Sequence, residues 1–424
     1  MDNRRYAILS VLALTASAGP ALASGFQLRE QGAEELGNAN AGAAAKAYDV
    51  TTVFHNPAGM TRLEGSHAGA SVAWVAPSSQ FDGTNTIGGA TVAGSHGGNH
   101  LQAIGVGAAY AMWAPAPDWR VGLAVSSPFG MRSDYQEDWV GRYHALDSRL
   151  TTVNASPSVA YRVNPSLSVA LGMQVEWADT QLTNAINFGA LVPGAGDGLF
   201  RVSGDDLAVG WTASALYEID AATRAGFSYR SSVRHAIRGK ARFQGTPAAL
   251  AGNVAFADSP VDTAITLPDT ATIGIYHDLS PRWAVMSDLS WTRWSVFRRL
   301  RLGFDSGRAD VVAPQNWNDS WFASVGANFK ASERLTLQMG AAYDMSPVED
   351  RYRTARIPDA DRIWVSAGIT YALAPESRLS LSYAHLFSNS VEIDQAALDG
   401  IGGRLTGRYS SQVDLISATY TMRF

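Results

Sequence analysis

Large apolar residues alternate with small or weakly polar residues in many separate runs along the chain. In the run 167–177, Leu171 and Met173 belong to the apolar set, and Gly172 and Gln174 belong to the other. A period of two places successive side chains on opposite faces of a β-strand. The chain is therefore predicted to be all-β. The same alternation recurs at 207–218, 335–343, 363–373 and 416–424.

Both faces of these strands fit a membrane barrel better than a soluble sandwich. The second face carries Gly, Ala, Ser, Thr and Gln, which is too little charge for a typical soluble surface, and aromatic residues such as Trp177 and Tyr217 recur near strand ends. Lipid would contact the apolar face, the lumen would take the small polar face, and the aromatic residues would lie at the membrane interfaces. The sheet must close, because an open edge cannot be satisfied in hydrocarbon.

Fourteen candidate strands follow from this pattern, an even number as in bacterial single-chain barrels. Short links such as 164–166 and 374–376 alternate with long links such as 78–98 and 183–205, as periplasmic turns and extracellular loops do. We therefore predict a 14-stranded antiparallel transmembrane β-barrel over 66–424. Its strands are predicted at 66–77, 99–113, 118–130, 148–162, 166–182, 206–219, 222–243, 260–277, 281–303, 318–330, 333–346, 361–374, 376–394 and 408–424.

The first residues predict a secretory signal peptide over 1–23. Arg4 and Arg5 form a positive n-region, an apolar stretch follows, and Ala21-Leu22-Ala23 is an A-x-A cleavage site. The apolar stretch is too short for a spanning helix, which needs about 20 residues. The mature chain would begin at Ser24 and be exported to a cell envelope.

The segment 24–65 does not follow the strand pattern. It is rich in Ala and Gly, and its small residues could pack closely against a barrel wall. A disordered tail is the alternative, although such tails usually carry more charge and fewer aliphatic and aromatic residues. Because fourteen strands leave a lumen too wide for wall side chains to fill, we expect this segment to form a plug, or hatch, in the lumen.

Composition and missing motifs exclude several classes of protein. The 424 residues contain no cysteine, and 33 basic residues face 38 acidic ones, a net charge of −5. This balance gives no footprint for nucleic acid. The sequence has no phosphate-binding loop and no catalytic motif, so we expect neither an enzyme nor a cofactor. A basic cluster within 293–301 could bind lipid phosphate, but a solvated strand end is the simpler interpretation.

Short motifs recur in a specific order through essentially the whole mature chain. The ordered set comprises 24–28, 56–58, 139–143, 161–164, 229–231, 291–295, 346–348 and, most strongly, 357–368. With this set the chain resembles the long-chain fatty acid transporter (FadL) family of outer-membrane proteins, whose relatives import other hydrophobic molecules, including aromatic hydrocarbons. The terminal Phe424 is similar to the aromatic-ended signal that barrel-assembly machinery reads.

The resemblance implies a monomer in the outer membrane, with a 14-stranded barrel plugged by an N-terminal hatch. It also implies passive diffusion, with the substrate leaving sideways into membrane lipid through a gap made by a kink in the third strand. Long-chain fatty acids are the expected substrates, and neutral aromatic hydrocarbons are the alternative. A general porin would need opposing rows of lumenal charge, and an acyl hydrolase would need a Ser–His pair; the strands supply neither.

The resemblance also assigns expected roles to individual residues. In the third strand, proline removes a ladder donor and glycine permits unusual backbone angles, so pairing should fail within 126–130. A plain strand end is the alternative interpretation. The expected roles fall to Pro128, Phe129 and Gly130 in a lateral gate, to Asn56, Pro57 and Ala58 in a hatch motif, and to Phe26, Phe54, Met60 and Leu63 in substrate binding. The alternatives are that the hatch motif is an ordinary turn and that Phe54, Met60 and Leu63 only anchor the hatch against the wall.

One stretch departs from the family pattern. Fatty-acid members place basic residues after the fifth strand, whereas 177–181 here contains no base and includes Asp179. An aspartate at that place would repel a carboxylate. This departure puts an anionic substrate in doubt unless Arg201 or Arg142 substitutes from a loop.

Overall fold

The alternating runs form the wall of one closed antiparallel barrel. The computed structural model describes residues 25–424, so the predicted signal peptide and Ser24 lie outside the described residues. The strands are β1 (His67–Ile87), β2 (Ile104–Ala116), β3 (Trp119–Ser126 and Gly130–Asp134), β4 (Asp147–Asn164), β5 (Leu167–Ile186), β6 (Gly198–Glu218), β7 (Thr223–Arg230 and Val233–Gln244), β8 (Ser259–Leu267 and Thr270–Asp278), β9 (Trp283–Thr292 and Arg299–Phe304), β10 (Val311–Pro314 and Ser320–Lys330), β11 (Leu335–Asp344), β12 (Arg362–Ala374), β13 (Ser377–Ser388 and Val391–Ala396) and β14 (Arg404–Arg423).

The predicted fourteen-stranded barrel and its outward apolar face are confirmed. Neighbouring strands pair in chain order, and β1 pairs with β14 along almost its whole length, which closes the wall. On the outer face, Leu171, Leu207 and Val209 are 69%, 64% and 65% exposed, whereas the alternate residues Ala170 and Ala178 are buried. Among residues 25–424, no helix has the length and apolar character needed to cross a membrane.

The wall extends furthest beyond the sequence prediction at two strands. The alternation predicts β1 at 66–77, but the strand continues to Ile87, and β6 begins at Gly198 rather than at 206. Much of the two predicted long links is therefore strand. The reason is that outward positions there, such as Asp82, are polar and exposed, so the hydrophobic alternation disappears although the backbone pairing continues.

Short helices and turns complete the described chain. Three of them, α1, α2 and the first 3₁₀ turn, lie before the barrel, one 3₁₀ turn lies between the two parts of β9, and the others lie in the loops. They are α1 (Ala33–Gly37), α2 (Thr52–His55), the 3₁₀ turns Pro57–Arg62, Phe188–Ala190, Ala248–Leu250, Val254–Phe256, Trp294–Val296 and Asp350–Tyr352, and a two-residue strand Ala90–Thr91 that extends β1 as a hairpin.

Residues 25–65, which we call the N-terminal segment, pack against the inward face of the wall. The Asn38 side-chain amide donates hydrogen bonds to the Ala327 carbonyl oxygen (3.1 Å) and to Asn328 Oδ1 (2.8 Å). The wall approaches this residue so closely that a Cβ on Gly340 would lie 2.1 Å from the Asn38 carbonyl carbon. Glycine is therefore required at this contact, because any side chain would collide with backbone atoms.

Buried ionic contacts join α1 to residues 46–51 within this segment. The Lys46 ammonium lies 3.7 Å from the carboxylates of both Glu34 and Glu35, and all three side chains are buried. The Thr51 hydroxyl also donates to Glu35 Oε1 at 3.1 Å. A buried charge that loses its partner is strongly destabilising, so these groups hold the segment in one arrangement.

The close contact at Gly340 generates a prediction about the N-terminal segment. We expect Gly340→Val to displace the segment and to destabilise its packing by about 1–3 kcal/mol, because the added side chain meets backbone that cannot move aside. Limited proteolysis of the detergent-purified barrel should then cleave within 25–65. Gly105→Val is the matched control, because a Cβ at Gly105 has no neighbour within 4 Å. Equal protection of both variants would contradict the prediction.

Candidate functional site

A large cavity opens inside the barrel on the side of the long loops. Its volume is about 670 Å³, and most of its lining is aliphatic or aromatic. Strands β3 to β10 and the end of β13 contribute the wall, and loops contribute the remainder. Phe26 of the N-terminal segment also lines it. The apolar lining includes Met131, Leu150, Leu182, Ile186, Phe200, Val202, Ile237, Phe243, Val261, Ile265, Phe297 and Leu302.

Phe26 lies in a box of aromatic rings and is 1% exposed. Its ring centroid is 4.6 Å from that of Trp294, 5.6 Å from Trp317, 5.9 Å from Phe297 and 6.3 Å from Phe129. Most of these contacts are edge-to-face, the arrangement that aromatic pairs favour. The box fixes the first described turn of the chain against the wall.

The preceding residue is held by both conformation and charge. Gly25 has φ +70°, and a Cβ there would lie 2.6 Å from the Trp317 ring. Its amide donates to Asp359 Oδ2 at 3.0 Å, while Arg362 donates to the other carboxylate oxygen of Asp359 at 2.7 Å. Burial raises the pKa of Asp359 above its ordinary value. Motif 357–368, on which the resemblance is strongest, thus anchors the start of the segment.

The third strand breaks where the sequence predicts that pairing fails. Its first part ends at Ser126, opposite Asn154 of β4. Its second part begins at Gly130, opposite Thr151 of β4. Four steps on β3 therefore oppose three on β4, which is the one-residue excess of a β-bulge. Ser127, Pro128 and Phe129 lie in this break.

The N-terminal segment pairs with the broken strand. The Leu28 amide donates to the Pro128 carbonyl oxygen at 2.8 Å, and the Gly130 amide donates to the Phe26 carbonyl oxygen at 2.9 Å. Gln27 forms an antiparallel bridge with Phe129. Backbone groups that β2 does not reach are thus satisfied by the segment.

The wall is incomplete beside this break. Pairing between β2 and β3 ends at Ala109 and Val125, whereas β2 continues to Ile104 with β1 as its partner. From there toward the long loops, no ladder pair joins the first part of β2 to the second part of β3 in residues 25–424, and the two sides meet again where the Asp134 amide donates to the His100 carbonyl oxygen at 2.7 Å. The result is a gap in the wall that the N-terminal segment borders from inside.

A smaller cavity of about 90 Å³ lies between the N-terminal segment and the wall. Leu28, Phe54, Pro128 and Phe129 are among its lining residues, whereas Phe26 lines the larger cavity. The contacting rings of Phe26 and Phe129 therefore separate the two cavities.

The structure places the four residues predicted to bind substrate in two different environments. Phe26 and Phe54 line cavities, and the Arg230 guanidinium lies 4.3 Å from the Phe54 ring centroid. Met60 and Leu63 instead belong to a buried apolar cluster with the wall. Neither of them is among the lining residues of the two cavities described here.

The predicted hatch motif ties the N-terminal segment to β6. The Asn56 side chain accepts a hydrogen bond from the Ala58 amide (3.1 Å) and donates to the carbonyl oxygens of Ala44 (2.6 Å) and Ala215 (3.0 Å). The Ala58 amide also donates to Ser214 Oγ at 3.0 Å. Pro57 follows at the start of a 3₁₀ turn, where its missing N–H needs no partner.

The two arginines expected to substitute for the missing base do not line the cavity. Arg142 ion-pairs with Asp197 at 2.8 Å, and Arg201 is exposed on the outer face of β6. Arg149, which does line the cavity, ion-pairs with Asp179 at 2.7 Å.

Two other arginines line the cavity, and the sequence did not identify them. The Arg356 guanidinium donates to neutral oxygens of Ser148 (2.9 Å), Thr183 (3.1 Å) and Asn184 (3.1 Å). Burial lowers the pKa of Arg356 to about 10, so it remains charged at neutral pH. Within residues 25–424, no carboxylate lies within 4 Å of it.

Arg308 reaches the cavity from the loop between the two hairpin strands of β9 and β10. Its guanidinium lies 5.0 Å from the ring centroids of both Phe243 and Phe304, and it donates to the Ala255 carbonyl oxygen at 2.8 Å. No local sequence pattern marks either arginine. Only the positions of distant loops bring Arg308 and Arg356 to the same cavity.

A family model described as outer membrane protein transport protein (OMPP1/FadL/TodX) matches residues 14–424. The chain is 28% identical to a putative outer membrane protein of Neisseria meningitidis serogroup B, with 95% of each chain covered. It is 26% identical to the long-chain fatty acid transport protein of Escherichia coli K12, with 88% of this chain and 90% of that chain covered.

Solved structures share the fold. The crystal structure of a Pseudomonas aeruginosa FadL homologue has a TM-score of 0.87 at 24% identity, covering 94% of this chain and 100% of that chain. The toluene transporter of Ralstonia pickettii has a TM-score of 0.67 at 18% identity, covering 93% and 99%.

The aromatic box generates a prediction about the start of the N-terminal segment. We expect Phe26→Ala to destabilise the packing of residues 25–31 by about 3–5 kcal/mol, because it removes the ring that four aromatic side chains enclose. Hydrogen exchange of that peptide, followed by mass spectrometry, should accelerate. Phe227→Ala, on the lipid-facing surface, is the control and should leave this exchange unchanged. Unchanged exchange in the Phe26 variant would show that the box does not hold the segment.

Proposed function

Because the chain belongs to the OMPP1/FadL/TodX family of outer-membrane transporters for hydrophobic compounds, we propose that its substrates are long-chain fatty acids. The proposal rests on one observation: a mostly apolar cavity contains the charged Arg356 guanidinium with no carboxylate within 4 Å in the described chain. Burial of an unpaired cation is costly, and a substrate carboxylate would reduce that cost. The family consists of transporters, so the acyl hydrolase alternative is set aside.

The apolar lining would bind the acyl chain. Each buried CH₂ contributes about 0.8 kcal/mol, so a long chain gains several kcal/mol in the cavity without any specific contact. Arg356 and Arg308 would bind the carboxylate, since a guanidinium can donate two parallel hydrogen bonds to it. A cavity with this division between apolar wall and cationic group suits an amphipathic molecule.

The substrate would leave through the gap between β2 and β3. The N-terminal segment packs against the wall beside the smaller cavity, and as a plug it would obstruct a straight aqueous route to the opposite rim. Displacement of Phe26 from Phe129 would join the two cavities beside the break at Pro128. An apolar molecule that enters the bilayer there never crosses water, so diffusion alone would drive the transfer.

Neutral aromatic hydrocarbons remain the second candidate substrates. The ring box around Phe26, with Trp294 and Trp317, offers edge-to-face contacts to another aromatic molecule. A hydrocarbon would need no partner for Arg356. The two substrate classes therefore differ in their dependence on that one charge.

Uptake of labelled oleate and labelled toluene, in cells that lack other such transporters, tests the proposal. We expect the protein to increase oleate uptake by these cells. In the purified protein, Arg356→Gln should weaken oleate binding by about 10–100-fold, because a hydrogen bond to a charged group contributes about 1.5–3 kcal/mol. Arg356→Lys should retain part of the activity, and Arg404→Gln, on the outer surface, should retain all of it. Oleate uptake that is equal with and without the protein would refute fatty acid transport. Toluene uptake that is insensitive to Arg356 would favour the second candidate.

The exit route has its own test. Deletion of Ser127 combined with Pro128→Val removes the extra residue and restores a ladder donor, so β3 should pair continuously with β4 and β2. We expect oleate still to bind to the purified variant but uptake to fall to the background level. Normal uptake by a variant with a continuous third strand would exclude lateral exit.

A further inference from the structure

Three consecutive outward residues of β7 above the membrane are basic: Arg238, Lys240 and Arg242. In the part Val233–Gln244, alternate side chains such as Val233 and Ile237 are buried, and those between them point outward. Together with one outward residue of the adjacent strand β6, these three basic residues form a surface that we call the basic face. The basic face consists of Arg201, Arg238, Lys240 and Arg242, all exposed.

We propose that the basic face binds the phosphorylated sugar headgroup of a glycolipid in the outer leaflet, of the lipopolysaccharide class. This inference rests on the outer-membrane location of the barrel and is independent of the substrate that the cavity takes.

The cations of the basic face are placed next to one another. Arg242 lies directly opposite Arg201 in the β6–β7 register, and Lys240 is the next outward residue on the same strand. Directly opposed residues have Cβ atoms about 5 Å apart, and like charges in such a pair destabilise a sheet. An anion bound between these side chains would remove that repulsion.

The nearby carboxylates have other partners. Asp262 ion-pairs with Arg301 at 2.9 Å, and Asp258 accepts a hydrogen bond from the Phe243 amide at 2.8 Å. Asp205 lies opposite Arg238 in the register and accepts a weak hydrogen bond from the Trp177 indole at 3.5 Å. In the described part of the chain, residues 25–424, no member of the basic face has a carboxylate within 4 Å.

Two arginines of the basic cluster that the sequence singles out at 293–301 differ in this respect. Arg293 ion-pairs with Asp269 at 2.8 Å, and Arg301 is shared between Asp262 and Asp310. Those paired arginines offer less free positive charge to a lipid than the basic face does.

The height of the basic face matches a headgroup layer. On β6 the outward apolar residues end at Leu207, and Arg201 lies six residues closer to the loops. With a rise of about 3.3 Å per residue and a strand tilt of about 40°, Arg201 is about 15 Å above the last lipid-facing apolar residue. The phosphates of an outer-leaflet glycolipid lie in this zone, above the hydrocarbon.

Continuity with the lipid-facing wall selects the kind of partner. Directly below the basic face, Leu207 and Val209 are exposed to lipid. A molecule that contacts both surfaces must have acyl chains and an anionic headgroup, and arginine is well suited to phosphate because it can bind two oxygens at once. A soluble anionic protein or a free ion would use only the upper part.

The opposite side of the barrel provides an internal comparison. On β13 and β14, Arg404 pairs with Asp394 at 2.5 Å and Arg408 pairs with Glu392 at 3.3 Å. These residues are also exposed above the membrane, but each cation has an acidic partner on the adjacent strand. The protein is therefore asymmetric in the charge that it presents to the surrounding lipid.

The test compares lipopolysaccharide binding by the detergent-purified full-length barrel and by variant R201Q/K240Q/R242Q. We expect the variant to bind purified lipopolysaccharide at least about tenfold more weakly than the unmodified protein does, because each basic residue near an anionic lipid surface contributes to affinity. The control is the variant E392Q/D394N/R404Q/R408Q, which removes two acidic and two basic residues and so leaves the net charge unchanged. It should bind lipopolysaccharide as the unmodified protein does. Heat-modifiable gel mobility verifies that each barrel is folded.

Two further arms do not depend on the variants. Enzymatically dephosphorylated lipopolysaccharide should bind the unmodified protein about tenfold more weakly, and added salt should reduce the difference between the two lipids. Inorganic phosphate at the same concentration should not compete. The proposal is overturned if dephosphorylated lipid binds equally well, if inorganic phosphate displaces the lipid, or if the folded triple variant binds unchanged. Oleate uptake by the triple variant should remain normal, which separates this inference from the proposed transport function.

Discussion

The whole structure depends on the requirement that backbone N–H and C=O groups inside a membrane be paired. The closed ladder from β1 around to β14 satisfies that requirement almost everywhere. At the break in β3 the ladder to β2 stops, and there the amide and carbonyl groups of residues 26–28 pair with residues 128–130 instead. The N-terminal segment is thus part of the wall as well as a filling of the lumen.

This arrangement links two features that would otherwise be separate. The residue that separates the large cavity from the small one, Phe26, is also the residue whose carbonyl oxygen accepts the Gly130 amide. Its ring and its backbone therefore tie the lining of the large cavity to the break in the wall. Asp359 and the box formed by Trp294 and Trp317 hold that stretch of chain against the wall.

Much of the fold could be predicted from the sequence. In a membrane barrel, alternate side chains of each strand face lipid and the lumen, so apolar residues recur with a period of two. The prediction was complete where lipid covers the wall, as at Leu171 and Leu207. It was wrong about the ends of β1 and β6, since outside the bilayer the outward face of a strand is polar and the hydrophobic alternation is lost. The break at Pro128 could be placed, because proline and glycine act locally on pairing.

The candidate site was less predictable, because it is assembled from residues far apart in the chain. Phe26 was identified by resemblance, but its partners Trp294 and Trp317 were not. Arg142 was expected as a substitute for the missing base, but Asp197, from another loop, neutralises its charge. Arg356 has no such partner, and only the packed loops show this. Periodicity carries no information about which loops meet.

The extension of the wall beyond its apolar zone has a consequence for where a solute first leaves water. From Leu207 to Gly198, β6 rises about 23 Å further, and Phe200 and Val202 line the cavity within that rise. A molecule of low water solubility would therefore meet an apolar surface well above the hydrocarbon layer of the membrane. The inward face of the extended strand thus offers such a molecule an apolar environment before it reaches the bilayer.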